Sequence, residues 1–176
     1  MLALMPMRVC AGVVTRPSSK MGQAPSYTAS LPNSPVGPLS VVVRDGAVVK
    51  LDWAVVDGVS DLVSTEAIAQ LAQYFAGERQ VFDLPLAPQV SAFQLKFGAA
   101  LRAIPFGETR TYGDLARDLG VPAQAIGQAC GGNTIPIIIP CHRVLGATTL
   151  GGFSGAGGVE AKVQLLRHEG AASLLI

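Results

Sequence analysis

An α/β chain, strands in its first half and mostly α-helical in its second, is what this sequence predicts, on three observations. Residues 39–56 read as strands around a tight turn, and residues 65–75 carry the period of an amphipathic helix. Residues 111–130 read as two short helices joined by a glycine turn. At 176 residues the chain can bury one sizeable core or two small ones.

The elements follow in order. Residues 1–33 mix Met, Pro, Ser and Gly without periodicity and are expected to form a flexible extension. Met1-Leu2-Ala3-Leu4-Met5-Pro6 is apolar but lacks a basic n-region and a long h-region, which argues against a signal peptide. Met21 is an alternative start that would remove Cys10. No run reaches the length of a membrane span.

Leu39-Ser40-Val41-Val42-Val43, the turn at Asp45-Gly46 and Ala47 to Trp53 give a hairpin signal. Thr65 to Phe75 places Ile68, Leu71, Ala72 and Phe75 on one helical face, and Gly77 ends it. Residues 34–84 are thus assigned to the α/β domain, 85–90 (with Pro85 and Pro88) to a linker, and 91–176 to the second domain. There, Ser91-x-x-Gln94 caps a helix with Phe93, Phe97, Ala100, Leu101 and Ile104 on one face, ending at Pro105.

Thr111-x-x-Asp114 is a capping-box-like start for a helix carrying Leu115, Ala116 and Leu119, and Gly120 stops it. After Val121-Pro122, Ala123 to Cys130 reads as a second helix closed by Gly131-Gly132. Such a pair describes a helix-turn-helix, whose second helix can lie against a DNA groove. Val159, Val163 and Leu166 supply the buried stripe of a last helix, and no internal repeat is evident.

The chemistry concentrates in the run from Gly132 to Val144. Ile137 to Ile139 stand between Pro136 and Pro140, which stiffen the backbone and push the residues before them towards extended geometry. Cys141 follows, with His142 and Arg143 directly after it. A free cysteine of pKa about 8.5 is only about 3% thiolate at neutral pH. Charge or hydrogen bonding from His142 or Arg143 would raise that fraction; the bland alternative is a small buried hydrophobe.

Taken together, these residues resemble the O6-alkylguanine-DNA alkyltransferases, or methylated-DNA–protein-cysteine methyltransferases. The Pro-Cys-His-Arg-Val motif stands complete as Pro140 to Val144. The likeness runs from Phe93-Gln94 through Ile104 to Thr109 and the helix pair, then Gly151-Gly152-Phe153-Ser154-Gly155 and Leu165 to Gly170. That covers roughly residues 91 to 170, with a fainter likeness from Ser34 to Leu39.

The resemblance implies an RNase H-like arrangement of strands plus helix before a winged-helix-like, helix-turn-helix domain that holds the site. It implies extrusion of an alkylated guanine from DNA and irreversible transfer of the alkyl group, once per molecule, to Cys141. His142 would act through a water, with Glu169 polarising it, a nucleophile–base–orienter arrangement. Tyr112 would protonate or orient the departing guanine, and Asn133 would bridge the helix pair to the active-site turn. Gln124, Ala125 and Gly127 match the recognition helix, and Phe153 and Ser154 match positions beside the guanine. Arg143 would hold the site by ionic or carbonyl contacts, or support DNA binding. Partners would be double- and single-stranded DNA containing alkylated guanine, with O4-alkylthymine a further candidate, and a monomer in the cytoplasm is expected.

Two positions depart from the family pattern. Gln124 stands where the family commonly has an arginine that fills the hole left by the flipped nucleotide; glutamine lacks its cation and stacking plane. Phe153 stands where some members have tyrosine.

Composition narrows the alternatives. Net charge is +1, a faint footprint for a nucleic-acid binder. Residues 1–90 carry six Lys/Arg against seven Asp/Glu, and residues 91–176 seven against five, so the small excess lies with the helix pair. Three cysteines, Cys10, Cys130 and Cys141, argue for a reducing compartment and against a disulfide framework. With only His142 and His168 besides, no metal-ligand spacing appears, and neither metal nor cofactor is expected. Cys130 is read as a small apolar helix residue, and His168 as a C-terminal cap or solvated group. A damage-marking relative would lack the acceptor Cys141, and a thiol oxidoreductase would ask for a resolving thiol, but no Cys-x-x-Cys occurs. A cysteine hydrolase would need turnover machinery, and a helix-turn-helix regulator a dimer signal.

Overall fold

The computed structural model describes residues 25–171. The expectations for Cys10 and for a start at Met21 lie outside the described residues.

Strands β1 (Ser26–Leu31), β2 (Leu39–Arg44) and β3 (Ala47–Asp52) form an antiparallel sheet in the order β1-β2-β3. The β2–β3 hairpin turns where the sequence puts it. Asp45 and Gly46 both take left-handed backbone, at φ 50° and 74°, as a tight hairpin turn with the sheet's own twist requires. Val41, Val43, Val48 and Leu51 are buried beneath it.

Strand β1 corrects the expected extension over residues 1–33. From Ser26 onward the chain pairs with β2, Thr28 opposite Val42 and Leu31 opposite Leu39. Tyr27, Ala29 and Leu31 pack against the core while Ser26, Thr28 and Ser30 alternate with them. That period of two was the signal, masked by the polar residues around it.

Helix α1 (Leu62–Phe75) begins before the expected Thr65. Asp61 accepts from the Ser64 amide at 2.8 Å while the Ser64 hydroxyl accepts from the Asp61 amide at 2.9 Å, a reciprocal cap built from Asp and Ser. Its inward face is Ser64, Ala67, Gln70, Leu71 and Tyr74. The expected stripe was turned: Ala72 is exposed, and Ile68 and Phe75 are half-buried. Gln70 is carried inside because its side chain bonds the Asp83 carbonyl and amide at 3.0 and 2.9 Å. Tyr74 is carried inside by a partner from the other end of the chain.

The segment expected as a linker runs along β3. Val48 donates to the Pro85 carbonyl at 2.8 Å and accepts from the Ala87 amide at 2.9 Å. Helix α2 (Ala92–Arg102) then starts on its Ser91 cap and buries Phe97 and Leu101, with Ile104 buried just beyond it. Helix α3 (Tyr112–Leu119) has the complete Thr111–Asp114 capping box and ends on Gly120, left-handed at φ 67°. Helix α4 (Ala123–Gly131) turns Ile126, Ala129 and Cys130 inward. Two short strands, β4 (Arg110–Thr111) and β5 (Val144–Leu145), pair in parallel. They tie the start of α3 to the residues just after Cys141.

Helix α5 (Gly158–His168) buries Ala161, Lys162, Leu165 and Leu166. Of the expected stripe only Leu166 is buried: Val163 is half-buried and Val159 is 43% exposed. A lysine stands where a sequence reading places an aliphatic residue, because only the fold supplies its oxygen partners.

Candidate active site

The backbone delivering Cys141 is a tight turn rather than the extended run expected between the prolines. Ile139 donates to the Ile135 carbonyl at 2.9 Å, and Ile137 takes left-handed backbone at φ 71°. A β-branched residue there carries strain on the order of 1–3 kcal/mol, held in place by surrounding structure. Residues 135–140 are all buried. Asn133 fastens the turn: its Nδ2 donates to the Ile139 carbonyl at 2.8 Å and its Oδ1 accepts from the Ile135 amide at 3.1 Å. The Asn133 amide also reaches the Cys130 carbonyl at the end of α4, at 3.3 Å. From Thr134 the strap is pinned to the sheet, its carbonyl accepting from the Leu51 amide at 2.9 Å. Cys141 to Arg143 then form a single 3-10 turn.

Glu169, buried at the end of α5, gathers the next shell of donors. Its Oε1 accepts from His142 Nε2 at 2.8 Å, the Tyr74 hydroxyl at 2.7 Å and Arg143 Nη2 at 2.9 Å. Its Oε2 accepts from Arg143 Nε at 2.8 Å and the Gly107 amide at 3.3 Å. Burial alone would push this carboxyl up, but the His142 and Arg143 bonds and the Arg143 charge hold it well below the usual carboxylate range.

An ionised carboxylate only accepts, so His142 presents Nε2–H to Glu169 and keeps Nδ1 as an acceptor. Complete burial pushes the imidazole pKa down, the Glu169 bond and charge offsetting this only in part, so the ring is neutral at neutral pH. Nδ1 is buried and has no hydrogen-bond partner. A neutral imidazole with one nitrogen oriented by a carboxylate and the other free is a general base in waiting.

Cys141 is buried, and burial pushes its thiol pKa up; a hydrogen bond from Asn133 and the Lys162 cation pull the other way. The resting group is therefore a thiol. This corrects the expectation that Arg143 tunes it, because the Arg143 guanidinium is taken up by Glu169 and by the Ile104 carbonyl at 2.6 Å. Arg143 is buried, which also removes it from the surfaces open to DNA. The cation near the thiol is Lys162. Its Nζ donates to the carbonyls of Val144 and Leu150 at 2.6 Å and Gly152 at 3.1 Å, and lies 6.0 Å from the Tyr112 ring centre.

A cavity of about 360 Å³ opens over the thiol, lined by Tyr112, Gly127, Cys130, Gly131, Cys141, Gly152, Phe153 and Ser154. Helix pair, cysteine turn and glycine loop thus meet at one chamber. Burial and the nearby thiols push the Tyr112 pKa up, so its hydroxyl is a donor at neutral pH. Burial pushes the Cys130 thiol to about 12, which leaves it an apolar wall. Ser154 is exposed at the rim, Phe153 half-buried. Gln124 is exposed in the first turn of α4 and Ala125 is half-buried beside it; neither lines the cavity. His168 is not a solvated cap: Nε2 donates to the Tyr74 carbonyl at 2.7 Å and the ring packs 4.8 Å from that of Tyr74. Sequence reasoning missed Tyr74 and Lys162 altogether. Among the described residues no group of His, Cys, Asp and Glu could hold a metal ion.

The family model for the 6-O-methylguanine DNA methyltransferase DNA-binding domain matches residues 92–171. A methylated-DNA–protein-cysteine methyltransferase of Methanosarcina acetivorans is 49% identical over 108 residues, covering 60% of this chain and 68% of that protein. The constitutive enzyme of that name from Bacillus subtilis is 39% identical over 153 residues, covering 77% and 91%. The solved complex of Mycobacterium tuberculosis OGT with DNA superposes with a TM-score of 0.71 at 37% identity, over 82% of this chain and 92% of that one.

Proposed function

Since the chain belongs to the methylated-DNA–protein-cysteine methyltransferase family, we propose that Cys141 is its acceptor and the 360 Å³ cavity its alkylguanine site. The protein acts on DNA by direct reversal, moving an alkyl group from the damaged base to one of its own cysteines. The observations carrying the residue assignment are the Cys141 thiol on the wall of that cavity and, next to it in the chain, a buried neutral His142 held by ionised Glu169 at 2.8 Å.

In this reading the Cys141 proton passes to His142 Nδ1, directly or across one water. The sulfur attacks the alkyl carbon, a C–S bond forms and the bond to O6 breaks, its electron pair staying on the guanine. Tyr112, held protonated, donates to the departing base, and in net terms the thiol's proton ends on guanine. Glu169 stabilises the imidazolium formed on the way. The product thioether has no leaving group comparable to guanine, so each molecule reacts once.

The helix pair α3–α4 with its β4–β5 ladder is read as a winged-helix-like DNA-binding unit, α4 lying against the groove and Gln124 nearest the base stack. Base flipping costs a few kcal/mol and delivers the damaged base to the cavity, on double- or single-stranded DNA. The protein is read as a monomer. No helix among the described residues is long and apolar enough to cross a membrane. A cytoplasmic setting, where Cys130 and Cys141 remain free thiols, suits the chemistry.

Mass spectrometry of peptides after incubation with an O6-methylguanine oligonucleotide tests this. We expect one methyl group, on Cys141, and none in Cys141→Ser, which still binds DNA. A methyl group on Cys130, or transfer by the serine variant, would overturn the assignment.

A further inference from the structure

The glycine loop that closes the cavity is held from two sides. An ideal Cβ on Gly151 would meet the Tyr112 hydroxyl at 2.7 Å, and one on Gly155 would meet the Trp53 indole at 2.6 Å and the Phe153 ring. Only a residue without a side chain lets the backbone approach so closely. Tyr112 belongs to the catalytic domain, but Trp53 comes from the other one, directly after β3. Its ring meets Phe153 edge-on, centres 5.9 Å apart and planes at 86°, and Phe153 lines the cavity.

Trp53 is itself fixed. Two residues earlier the Leu51 amide donates to the Thr134 carbonyl on the strap leading to Cys141. The indole Nε1 is buried with no hydrogen-bond partner, so contact rather than hydrogen bonding sets the ring's place. Phe153 has no hydroxyl to tether it either. Its position as a cavity wall depends on what it leans against.

We propose that Trp53 is a specificity-determining positioning residue: by backing Phe153 and Gly155 it sets the depth of the cavity and hence the size of alkyl group accepted. This rests on the reading of the cavity as the alkylguanine site. The N-terminal domain thereby takes part in substrate choice as well as in folding. Truncating the indole lets the Phe153 wall retreat, so a bulky O6 substituent gains while methyl, which never reaches that wall, does not.

Single-turnover rates on oligonucleotides carrying O6-methylguanine or O6-benzylguanine test it, in the parent, Trp53→Ala and Trp53→Phe. The benzyl-to-methyl rate ratio is expected to rise about tenfold in Trp53→Ala, the scale on which hydrophobic pockets discriminate, and to stay near the parental value in Trp53→Phe. An unchanged ratio in Trp53→Ala, whether or not both rates fall, overturns the proposal. A parent that transfers neither group points instead to failure of the site reading. Trp53 is the chain's single tryptophan, so the parent also reports without any substitution. Its emission should shift when Cys141 becomes benzylated and the wall is pressed, and remain constant on methylation. An identical response to both groups would count against it.

Discussion

Tyr74, on α1, donates its hydroxyl to the Glu169 carboxylate at 2.7 Å, across 95 residues of sequence. The same oxygen orients His142 at 2.8 Å, so α1 contributes a hydrogen bond to the carboxylate that holds the histidine next to Cys141. Burial and the carboxylate both push the Tyr74 pKa up, which keeps its proton in place.

Tyr74→Phe should therefore weaken the fold and slow transfer together. A hydrogen bond to a charged group is worth about 1.5–3 kcal/mol, and the ring is otherwise unchanged. Urea unfolding should show a loss of that order, and single-turnover transfer a slower rate at unchanged DNA affinity. Parental stability and rate would mean the hydroxyl is idle.

His142→Ala and Glu169→Gln should slow transfer far more than they weaken DNA binding, since both residues are buried away from the surface. The first removes the acceptor for the thiol proton, the second the group that stabilises the imidazolium. Rapid-quench kinetics at saturating DNA measure the chemical step alone. Rates within about a factor of two, less than 0.5 kcal/mol of barrier, would take both residues out of the mechanism.

Acid should destabilise the protein in two stages. Burial keeps the folded His142 pKa below its ordinary value, so the unfolded chain takes up the proton first. Stability then falls as pH drops below about 6.5 and keeps falling through the folded pKa. Glu169, also depressed in the fold, contributes stability above its unfolded pKa of about 4.3 and loses it as pH falls through its folded pKa. The melting temperature should decline from about pH 7 to about pH 5, and His142→Gln, which keeps an amide donor but does not titrate, should flatten that decline. A parental melting temperature that rises over the range would reverse the sign assigned to His142.

Lys162→Met should move the pH profile of transfer to higher pH. The cation lowers the Cys141 thiol pKa, so removing it makes the thiol harder to ionise. The three carbonyls of Val144, Leu150 and Gly152 also lose their donor, at roughly 1–3 kcal/mol for each that stays buried. A slower rate with an unmoved profile would confine Lys162 to holding the loop.

Much of this was legible locally. The Asp45-Gly46 turn, the Thr111–Asp114 box and the Gly120 stop are decided by residues within a few positions, so sequence placed them. The motif set His142 directly after Cys141, and the fold brings His142 and Glu169 to 2.8 Å of each other. Tyr74 and Lys162 were not legible, because what makes each useful lies elsewhere. A lysine is ordinarily a surface residue, and the three oxygens that make Lys162 an interior one belong to β5 and to the loop between it and α5. On α1 the apolar pattern allowed two neighbouring faces, and Glu169 selected the one carrying Tyr74. The turn at Ile137 was hidden because its flanking prolines suggested extended backbone, while buried contacts held a left-handed residue between them.

Gln124 stands exposed in the first turn of α4, where the family commonly carries an arginine. Its amide can pair with an orphaned base but brings neither charge nor a cationic plane to the gap left by flipping. Gln124→Arg should tighten duplex binding by about 1 kcal/mol, within the range of cation–π contacts, and steepen the salt dependence by roughly one counterion. On single-stranded DNA no stack needs filling, so only the charge contribution should appear. Titrations of both substrates at two salt concentrations separate the parts. Equal gains on duplex and single strand would place residue 124 beside phosphate instead of the base stack, and the assignment of α4 as the helix that fills the gap would fall.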